Sequence, residues 1–331
     1  MKRLLAVIVI AAALWSGYWY IAQRGARAGI ESWFDARRAE GWQAEYKELA
    51  TQGFPNRIDT TLTDPVLADP ESGLAWTAPM FKLFALSYQP NHIIAVWPET
   101  QVLSTPTARY EISSADMRAS LVMQPAPQLP LERANLISDA LAIEGPGGTT
   151  TMEGLQIAIL RQEGGESYHL GLNADGYAPP LPRGLTLRTG GTLPQKLSSL
   201  RADLELGFDK PIDLTALSEA RPQPRRIKVT LAEAKWGQLE LALAGTLDID
   251  DLGRPKGQIT IKARNWRDML ELARQMDLLP AEWLNPVEQA LGLAAQLNGN
   301  TRTLDLPLTF NRTTISLGPI PIGPAPIIRL R

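Results

Sequence analysis

The residues that could do chemistry in this sequence are few, and its two histidines come first among them. His92 and His169 are far apart, and each lies in a stretch of alternating apolar residues that is typical of a β-strand. The sequence contains neither a G-x-S-x-G nucleophile elbow nor an H-E-x-x-H zinc motif. It also has no cysteine, which excludes thiol nucleophiles, disulfides and cysteine-ligated metals. We interpret His92 as a strand or turn residue, and we expect no catalytic residue, no bound metal and no cofactor.

Acidic pairs and one glycine-rich stretch are the remaining candidates for chemistry. A glycosidase needs two carboxyl groups beside its substrate, and Glu163 with Glu166 or Asp248 with Asp250 could be read that way. However, the first pair flanks a glycine turn and the second lies between apolar strand positions, so we expect both on solvated surface. The Gly-Pro-Gly-Gly stretch at 145–148 lacks the lysine of a phosphate-binding loop and indicates a turn. We therefore expect that the protein is not an enzyme.

Composition limits the class of the protein and its partners. The chain has 331 residues, of which 44% are hydrophobic and 21% charged, as is ordinary for a globular protein with one large or two medium domains. Its net charge is -2 and its pI is about 5.9. Because phosphate binding requires clustered lysine and arginine, these values argue against a nucleic-acid partner.

The first apolar run has the length of a membrane span. Leu4 to Ala22 contains no charged residue, and tryptophan and tyrosine near its end are typical of a membrane interface. We predict an uncleaved anchor over residues 1–25, with the N terminus in the cytoplasm and the body outside it. The alternative is a cleaved signal peptide, with Ala-Arg-Ala at 26–28 as the cleavage site. The anchor residues that we single out are Leu4, Ile8, Leu14, Trp15, Trp19 and Ile21.

Residues 26–52 continue with helical spacing of aromatic and aliphatic side chains. We predict a juxtamembrane amphipathic helix here, broken at Gly41. It either packs on the first sheet or lies on the membrane surface. The apolar positions that carry this prediction are Ile30, Trp33, Phe34, Trp42, Tyr46 and Leu49.

Beyond residue 52 the strand period dominates. We divide this part into a first β-rich region, 53–178, and a second, 179–331, that carries two covering helices, with a proline-rich junction after Gly176. Alternating apolar residues predict strands between Arg57 and Met123, whereas Leu131 to Ala142 could be a short helix or another strand.

The clearest alternation lies between Arg225 and Ala263. Apolar residues occupy every second position of three stretches, and glycine and proline between the stretches predict short turns. These features indicate an antiparallel meander with one apolar face, either a groove or a core face. That face comprises Leu239, Leu241, Leu243, Leu247, Ile249, Ile259 and Ile261.

After the meander the period changes to that of a helix. We predict a helix over Arg267 to Leu279, with Asn265 as its N-cap, and a second over Pro286 to Leu297. Both would cover the apolar face of the sheet. The sequence thus predicts an α+β fold that is mainly β: an N-terminal transmembrane helix followed by long antiparallel, curved sheets covered by a few helices.

The C-terminal stretch alternates glycine and proline with isoleucine. Proline lacks a backbone donor, so regular strand pairing is restricted there. We expect the isoleucines to meet either the edge of the protein's own sheet or a partner protein. These residues are Ile320, Ile322, Ile327 and Ile328.

Several motifs together resemble a bacterial family catalogued only as domain of unknown function 2125. They lie in both halves of the chain: Gly53-Phe54-Pro55-x-Arg57, the stretch from Tyr88 to Pro98, Gly245-Thr-Leu-Asp-Ile-Asp with Gly253 and Gly257, and the final Leu-Gly-Pro-Ile-Pro-Ile-Gly-Pro-Ala-Pro. This resemblance implies a bacterial protein and names no chemistry. More loosely, a β-rich body on one N-terminal membrane helix is similar to AsmA-like envelope proteins, a group associated with moving or organising lipids.

Two functions fit these observations. The first is a bacterial envelope protein, anchored in the inner membrane with its body in the periplasm, that binds or transfers a phospholipid or another acylated lipid through an apolar groove of a curved sheet. The second is a structural or adaptor protein with a closed core, whose proline-rich C terminus binds another envelope protein. The two differ in whether the apolar faces of the strands are fully covered. Two predicted helices are few for the many strands, unless two sheets cover each other.

Overall fold

The computed structural model describes residues 1–181, 187, 193–218, 221–276, 288–289, 291–293, 295–296, 302–317 and 320–330, the backbone alone at 217, 218, 320 and 322. The chain forms two compact units. We call Met1–Pro125 with Ala134–Gly147 the N unit, and Ala126–Arg133 with Gly148–Arg331 the C unit. The division at Gly147 precedes the boundary that we drew from sequence at 178.

The secondary structure is mainly β, as predicted. The first part of the chain contains α1 (Lys2–Ala39), β1 (Gln43–Glu45), β2 (Glu48–Gln52), β3 (Arg57–Thr63), β4 (Val66–Asp69), β5 (Leu74–Thr77), β6 (Met80–Leu86), β7 (Gln89–Val96), β8 (Thr100–Ser104), β9 (Arg109–Ser113), β10 (Asp116–Met123) and β11 (Leu131–Gly145). Residues 131–142 are thus strand rather than helix. The glycine-rich stretch at 145–148 is the turn after β11, as predicted.

α1 is one continuous helix, but it ends before the predicted juxtamembrane helix does. Its last residue is Ala39, and Gly41 follows with φ +89°, a conformation that stops a helix and that glycine tolerates. The prediction of a helix over 26–52 is therefore wrong for its second part, which forms β1 and β2. The aromatic residues of both parts pack together in one cluster, so the helical spacing across Gly41 reflected a shared core. The cluster contains Phe34, Ala44, Leu49 and Leu62, with Ile30, Trp33, Trp42, Tyr46, Leu67 and Phe81 beside them.

The strands of the N unit pair in two antiparallel ladders. One ladder runs β2–β3–β6–β7–β10. The other runs β1–β4–β5–β8–β9 and ends on residues 142–144 of β11. Many of these strands are short and their neighbours are not consecutive in the chain, so local turn signals alone do not specify the order.

The C unit contains a nine-stranded antiparallel meander in which every strand pairs with the next in sequence. The predicted turns after Trp236 and Ile249 connect its central strands, and a hairpin at Arg312 joins the strands on either side, as expected. A short helix, α2 (Thr215–Ser218), precedes the central strands. The nine strands are β12 (Gly148–Arg161), β13 (Ser167–Asp175), β14 (Ser199–Phe208), β15 (Pro224–Trp236), β16 (Leu239–Ile249), β17 (Pro255–Arg264), β18 (Thr303–Asn311), β19 (Thr314–Leu317) and β20 (Ile320–Pro324).

Two glycines allow β16 and β17 to approach each other closely. A Cβ added at Gly245 would lie 2.1 Å from the Gln258 carbonyl oxygen, and one at Gly257 would lie 2.2 Å from that of Thr246. Both positions also have positive φ, at +152° and +145°. Side chains at these sites would push the strands apart, which explains physically why positions 245 and 257 are glycine.

Helices cover one part of the meander. The predicted helix after Asn265 is α3 (Trp266–Gln275), and residues 288–289, 291–293 and 295–296 are also helical. The starts and ends predicted at 285–287, 277–279 and 297 lie outside the described residues. Asn265 is the N-cap residue, as predicted, and Asp268 lies in the first turn. The Asn265 side chain makes no capping hydrogen bond, however: the residue has φ +56°, and its side-chain amide donates to the Gln238 carbonyl at 2.6 Å.

Candidate membrane anchor and apolar sheet face

α1 divides into an exposed part and a part that packs on the N unit. Residues 1–15 are all exposed, whereas positions 16, 19, 22, 23, 26, 30, 33 and 34 form a half-buried or buried stripe with helical spacing. Of the described residues, only α1 is long and apolar enough to cross a membrane, a test that a signal sequence also passes. Of the predicted anchor residues, Leu4, Ile8, Leu14, Trp15 and Ile21 are exposed, by 67%, 56%, 72%, 38% and 71%, whereas Trp19 is half-buried.

Three aromatic side chains attach α1 to the turns of the N unit. The indole N–H of Trp15 donates to the Pro55 carbonyl at 3.0 Å, and that of Trp19 donates to the Arg57 carbonyl at 2.7 Å. The Tyr18 hydroxyl donates to the Ser87 carbonyl at 2.5 Å. The aromatic belt predicted at the end of the anchor therefore makes direct contacts with the folded body. Sequence reasoning missed this role, although clustered tryptophan and tyrosine were the signal for it.

The C unit presents one continuous aliphatic face across the meander. Successive strands pair so that every second residue points to the same side, with the alternation shifted at irregularities where β14 pairs with β15 and where β15 pairs with β16. We call the part on β16–β18 the covered end and the part on β12–β14 the exposed end. At the covered end, Leu239, Leu247, Ile249 and Ile259 are at most 8% exposed, and Leu241, Leu243 and Ile261 are half-buried. The residues predicted as a groove or core face are therefore mostly core.

The covered end packs against helices. Trp266, at the start of α3, is 2% exposed and lies in one cluster with Ala263, Leu304 and Leu306 of the sheet and Ala295 of the second helical stretch. Met269, Leu270, Leu291 and Leu317 pack around this cluster, and so does Leu241. This end of the face is closed by the protein's own helices, as the sequence predicted.

The exposed end continues the same face with less cover. Its aliphatic side chains are half-buried: Leu155, Ile157, Ile159, Leu170, Leu172, Leu204 and Leu206. Tyr168 and Ala174 are buried exceptions, at 1% and 5% exposure. Burial raises the pKa of the Tyr168 hydroxyl, which accepts a hydrogen bond from the Ile212 backbone N–H at 2.9 Å. This tyrosine, whose hydroxyl fixes a loop over the sheet, was missed as a structural residue by the sequence analysis.

The opposite face of the meander is charged and paired. Arg226 contacts Asp248 at 2.7 Å, and Lys228 contacts Glu205 at 2.7 Å. A depression of about 290 Å³ lies on this face around the small side chain of Ala242, which stands between Glu233 and Lys262 in the strand register. Cross-strand ion pairs of this kind neutralise the face and agree with its interpretation as solvated surface.

Two acids on this side have lowered pKa values. Hydrogen bonding to Lys235 lowers the pKa of Glu233, and hydrogen bonding from the Arg254 backbone N–H lowers that of Asp250. Each carboxylate therefore stays ionised as a structural partner. The pair Asp248 and Asp250 does not share a site, because each binds a different arginine.

The two histidines lie in different units, and each contacts one polar side chain on an adjacent strand. His92 on β7 is 2.9 Å from the Ser120 hydroxyl on β10, and His169 on β13 is 2.9 Å from the Asp203 carboxylate on β14. Among the described residues, no three histidine, aspartate or glutamate side chains are grouped so that they could hold a metal ion. Both histidines are cross-strand pairs on half-exposed faces, the role that we expected for His92.

The C-terminal stretch folds back along the C unit. Ile320 and Ile322 lie in β20, which pairs with β19, so their backbones occupy the sheet edge. The Ile328 backbone N–H then donates to the Gly253 carbonyl at 2.8 Å, and Ile328 is half-exposed. Ile327 is 70% exposed. The two alternatives for this stretch were the edge of the protein's own sheet and a partner protein. Much of its backbone is bound to the protein's own sheet and to the turn at Gly253.

A comparison with known families accounts for most of the chain. Residues 19–326 match the model of DUF2125, described as an uncharacterised protein conserved in bacteria. The chain belongs to the DUF2125 family. No curated protein and no solved structure matches it. The DUF2125 match begins at Trp19, so it includes most of the packed part of α1 and most of both units, but neither Trp15 nor Tyr18.

Proposed function

We propose that this DUF2125 protein is a membrane-anchored, non-enzymatic protein of the bacterial envelope that holds an acyl chain of a lipid against the exposed end of its sheet. The observation that supports it is the row of half-buried aliphatic residues on β12–β14, which continues a face that is buried elsewhere. Apolar area left in partial contact with water favours an apolar ligand. Burying about 14 methylenes would contribute on the order of 11 kcal/mol before ordering costs.

The anchor in this proposal is α1, retained after export with the body in the periplasm. Its support is the attachment of Trp15, Tyr18 and Trp19 to the N unit, because cleavage at 26–28 would remove all three hydrogen bonds. The intact mass of protein extracted from membranes tests this proposal. We expect the 331-residue chain and an active C-terminal periplasmic reporter. A mass that begins at Gly29, or an inactive reporter, would contradict it.

Site-specific photocrosslinking tests lipid contact at the exposed end. A benzophenone amino acid replaces Leu170, on the aliphatic face of β13, in cells that express the whole chain. The matched control is Leu160, which lies on the opposite face of β12 and is 47% exposed. We expect lipid adducts at Leu170 and few at Leu160, although Leu160 is the more accessible side chain. Equal or absent lipid adducts at the two positions would overturn the proposal.

A second candidate is an adaptor that binds another envelope protein through its C-terminal stretch. Its support is Ile327, a large aliphatic side chain that is 70% exposed in a segment fixed by the neighbouring Ile328 backbone. The same crosslinker at Ile327 would then capture a polypeptide. Peptide adducts at Ile327 without lipid adducts at Leu170 would favour the adaptor.

A further inference from the structure

The length of the apolar run of α1 determines how deeply its contacts with the body lie in the membrane. The uncharged run from Leu4 to Ala22 extends about 28 Å as a helix, close to the roughly 30 Å of the hydrocarbon core. The part from Leu4 to Trp15, before the contacts with the body begin, extends only about 17 Å. The run can therefore fill the core only if the residues from Trp15 to Ala22 lie within the membrane as well.

Those residues are attached to two turns of the N unit, which must then share their depth. We call Gly53–Arg57 and Ser87–Pro90 together the rim. Ser87 is fully buried and links the two turns, because its backbone N–H donates to the Asn56 carbonyl at 2.9 Å. Trp15 and Trp19 donate to the first turn, and Tyr18 donates to the second. The rim is thus fixed beside the last third of the apolar run.

The side chains of the rim suit the boundary between lipid and water. Phe54 is 56% exposed and Tyr88 is 58% exposed, two large aromatic residues on neighbouring turns. The Phe54 ring also contacts the Trp19 ring edge-on, with centroids 5.4 Å apart. Aromatic side chains with an apolar body and a polar tip are enriched at membrane interfaces.

The charges near the rim agree with this position. The guanidinium of Arg24 lies over the Tyr20 ring at 4.4 Å, two residues beyond the end of the apolar run, where it can reach lipid phosphates. Arg57 pairs with Asp59 at 3.0 Å. Arg24 and Arg27 follow the apolar run, and residues 1–30 contain no acidic residue, so anionic lipid headgroups on the side of the rim would not be repelled by α1.

We propose that the rim enters the interfacial layer of the bilayer, with Phe54 and Tyr88 inserted among the lipids beside α1. The inference rests on the retained anchor of the proposed function. Trp19 and Trp15 precede Ala22 by about 5 and 10 Å along the helix, a depth typical of interfacially bound segments. The body of the N unit is then seated in the membrane surface beside its own spanning helix, and its orientation is set by the rim as well as by that helix.

Single-cysteine labelling tests the depth of the rim, because the chain has no cysteine of its own. The whole chain carrying Phe54→Cys or Tyr88→Cys is labelled with an environment-sensitive fluorophore and reconstituted in vesicles of phosphatidylethanolamine and phosphatidylglycerol. We expect blue-shifted emission, efficient quenching by spin-labelled lipids, and several-fold weaker quenching by aqueous iodide than at the control site.

Leu74→Cys is the matched control. Leu74 is an exposed apolar residue of the same unit, at 46%. It neighbours Asp69, and Ala68 pairs with Gln43, so it lies near the C-terminal end of α1, about 30 Å along the helix from Trp19. We expect it to be quenched by iodide and not by the lipid quencher.

Vesicle flotation and thermal unfolding accompany each measurement, so that anchoring and folding are checked separately. Variants that float and melt like the parent but show equal iodide quenching at all three sites would overturn the rim proposal and leave the anchor intact. Loss of flotation in the parent chain would instead refute the anchor. If Phe54→Cys or Tyr88→Cys melts early, the label is placed at Asn56→Cys instead, and an iodide-exposed label there would also overturn the proposal.

Discussion

The covered and exposed ends of the C unit use the same alternation of aliphatic residues and differ in what lies over them. At the covered end, Trp266 and the second helical stretch bury Leu304 and Leu306 to 5% and 8% exposure. At the exposed end, Ile157 and Leu170 lie on the same face of the sheet and remain half-buried. The alternation of a strand therefore predicts that one face is apolar. Whether that face is buried depends on elements elsewhere in the chain.

The largest effect is expected at the covered end. Leu241→Asp places a carboxylate against the Trp266 cluster and should lower the free energy of unfolding by about 4 kcal/mol. The measurement is chemical denaturation of the whole chain in mild detergent. Glu240→Gln, on the opposite face, loses only a surface ion pair with Arg264 and should cost about 0.5 kcal/mol or less. Similar losses at 240 and 241 would mean that the two faces are not distinct.

Truncation of matched leucines measures the difference between the ends directly. Leu306→Ala should cost about 3 kcal/mol because it creates a cavity under the helices. Leu170→Ala should cost about 1.5 kcal/mol, since a half-buried side chain loses less area and water can fill the space. Denaturation midpoints of the two variants provide the comparison. Equal losses would show that the exposed end is covered as completely as the other.

The hydrogen bond of Tyr168 tests how much a loop contact at the exposed end stabilises the protein. Tyr168→Phe leaves the Ile212 N–H without its acceptor and should cost about 1 to 2 kcal/mol. Burial raises the pKa of this hydroxyl, so its contribution to stability is present below the unfolded value near 10.0 and is lost as pH rises above it. The stability gap between parent and variant should accordingly narrow above that pH. A gap that is absent at neutral pH would contradict the assigned hydrogen bond.

The smallest effects are expected on the charged face. The pKa values of Glu233 and Asp250 are lowered in the folded protein, so their stabilisation is present above the unfolded values of 4.5 and 3.8 and is lost as pH falls below them. Between pH 6 and pH 3, the melting temperature of Glu233→Gln should fall less than that of the parent. High salt should reduce the difference only in part, because the Glu233 side chain is 11% exposed and its ion pairs are screened incompletely. A melting temperature that falls more steeply in the variant than in the parent would contradict this prediction.

Local sequence was sufficient for the strands and most turns of the C unit. A period of two, interrupted by glycine or proline, depends on neighbouring residues only, and consecutive strands then pair with minimal loop length. The same reasoning failed after Gly41, where Trp42 and Tyr46 keep a helical spacing because they pack in one core with α1, although their backbone leaves the helix. It placed Asn265 at the start of α3 but missed the hydrogen bond of its side chain, because the acceptor at Gln238 is distant in sequence.

By itself, the sequence determined that the chain is mainly β, that its first helix is apolar enough to cross a membrane, and that one face of the meander is aliphatic. Only the tertiary structure decided which part of that face is covered and that Trp15, Tyr18 and Trp19 attach the helix to two turns of the body. Secondary structure follows from periodicity within a few residues, whereas burial and hydrogen bonding between distant segments depend on how the whole chain packs.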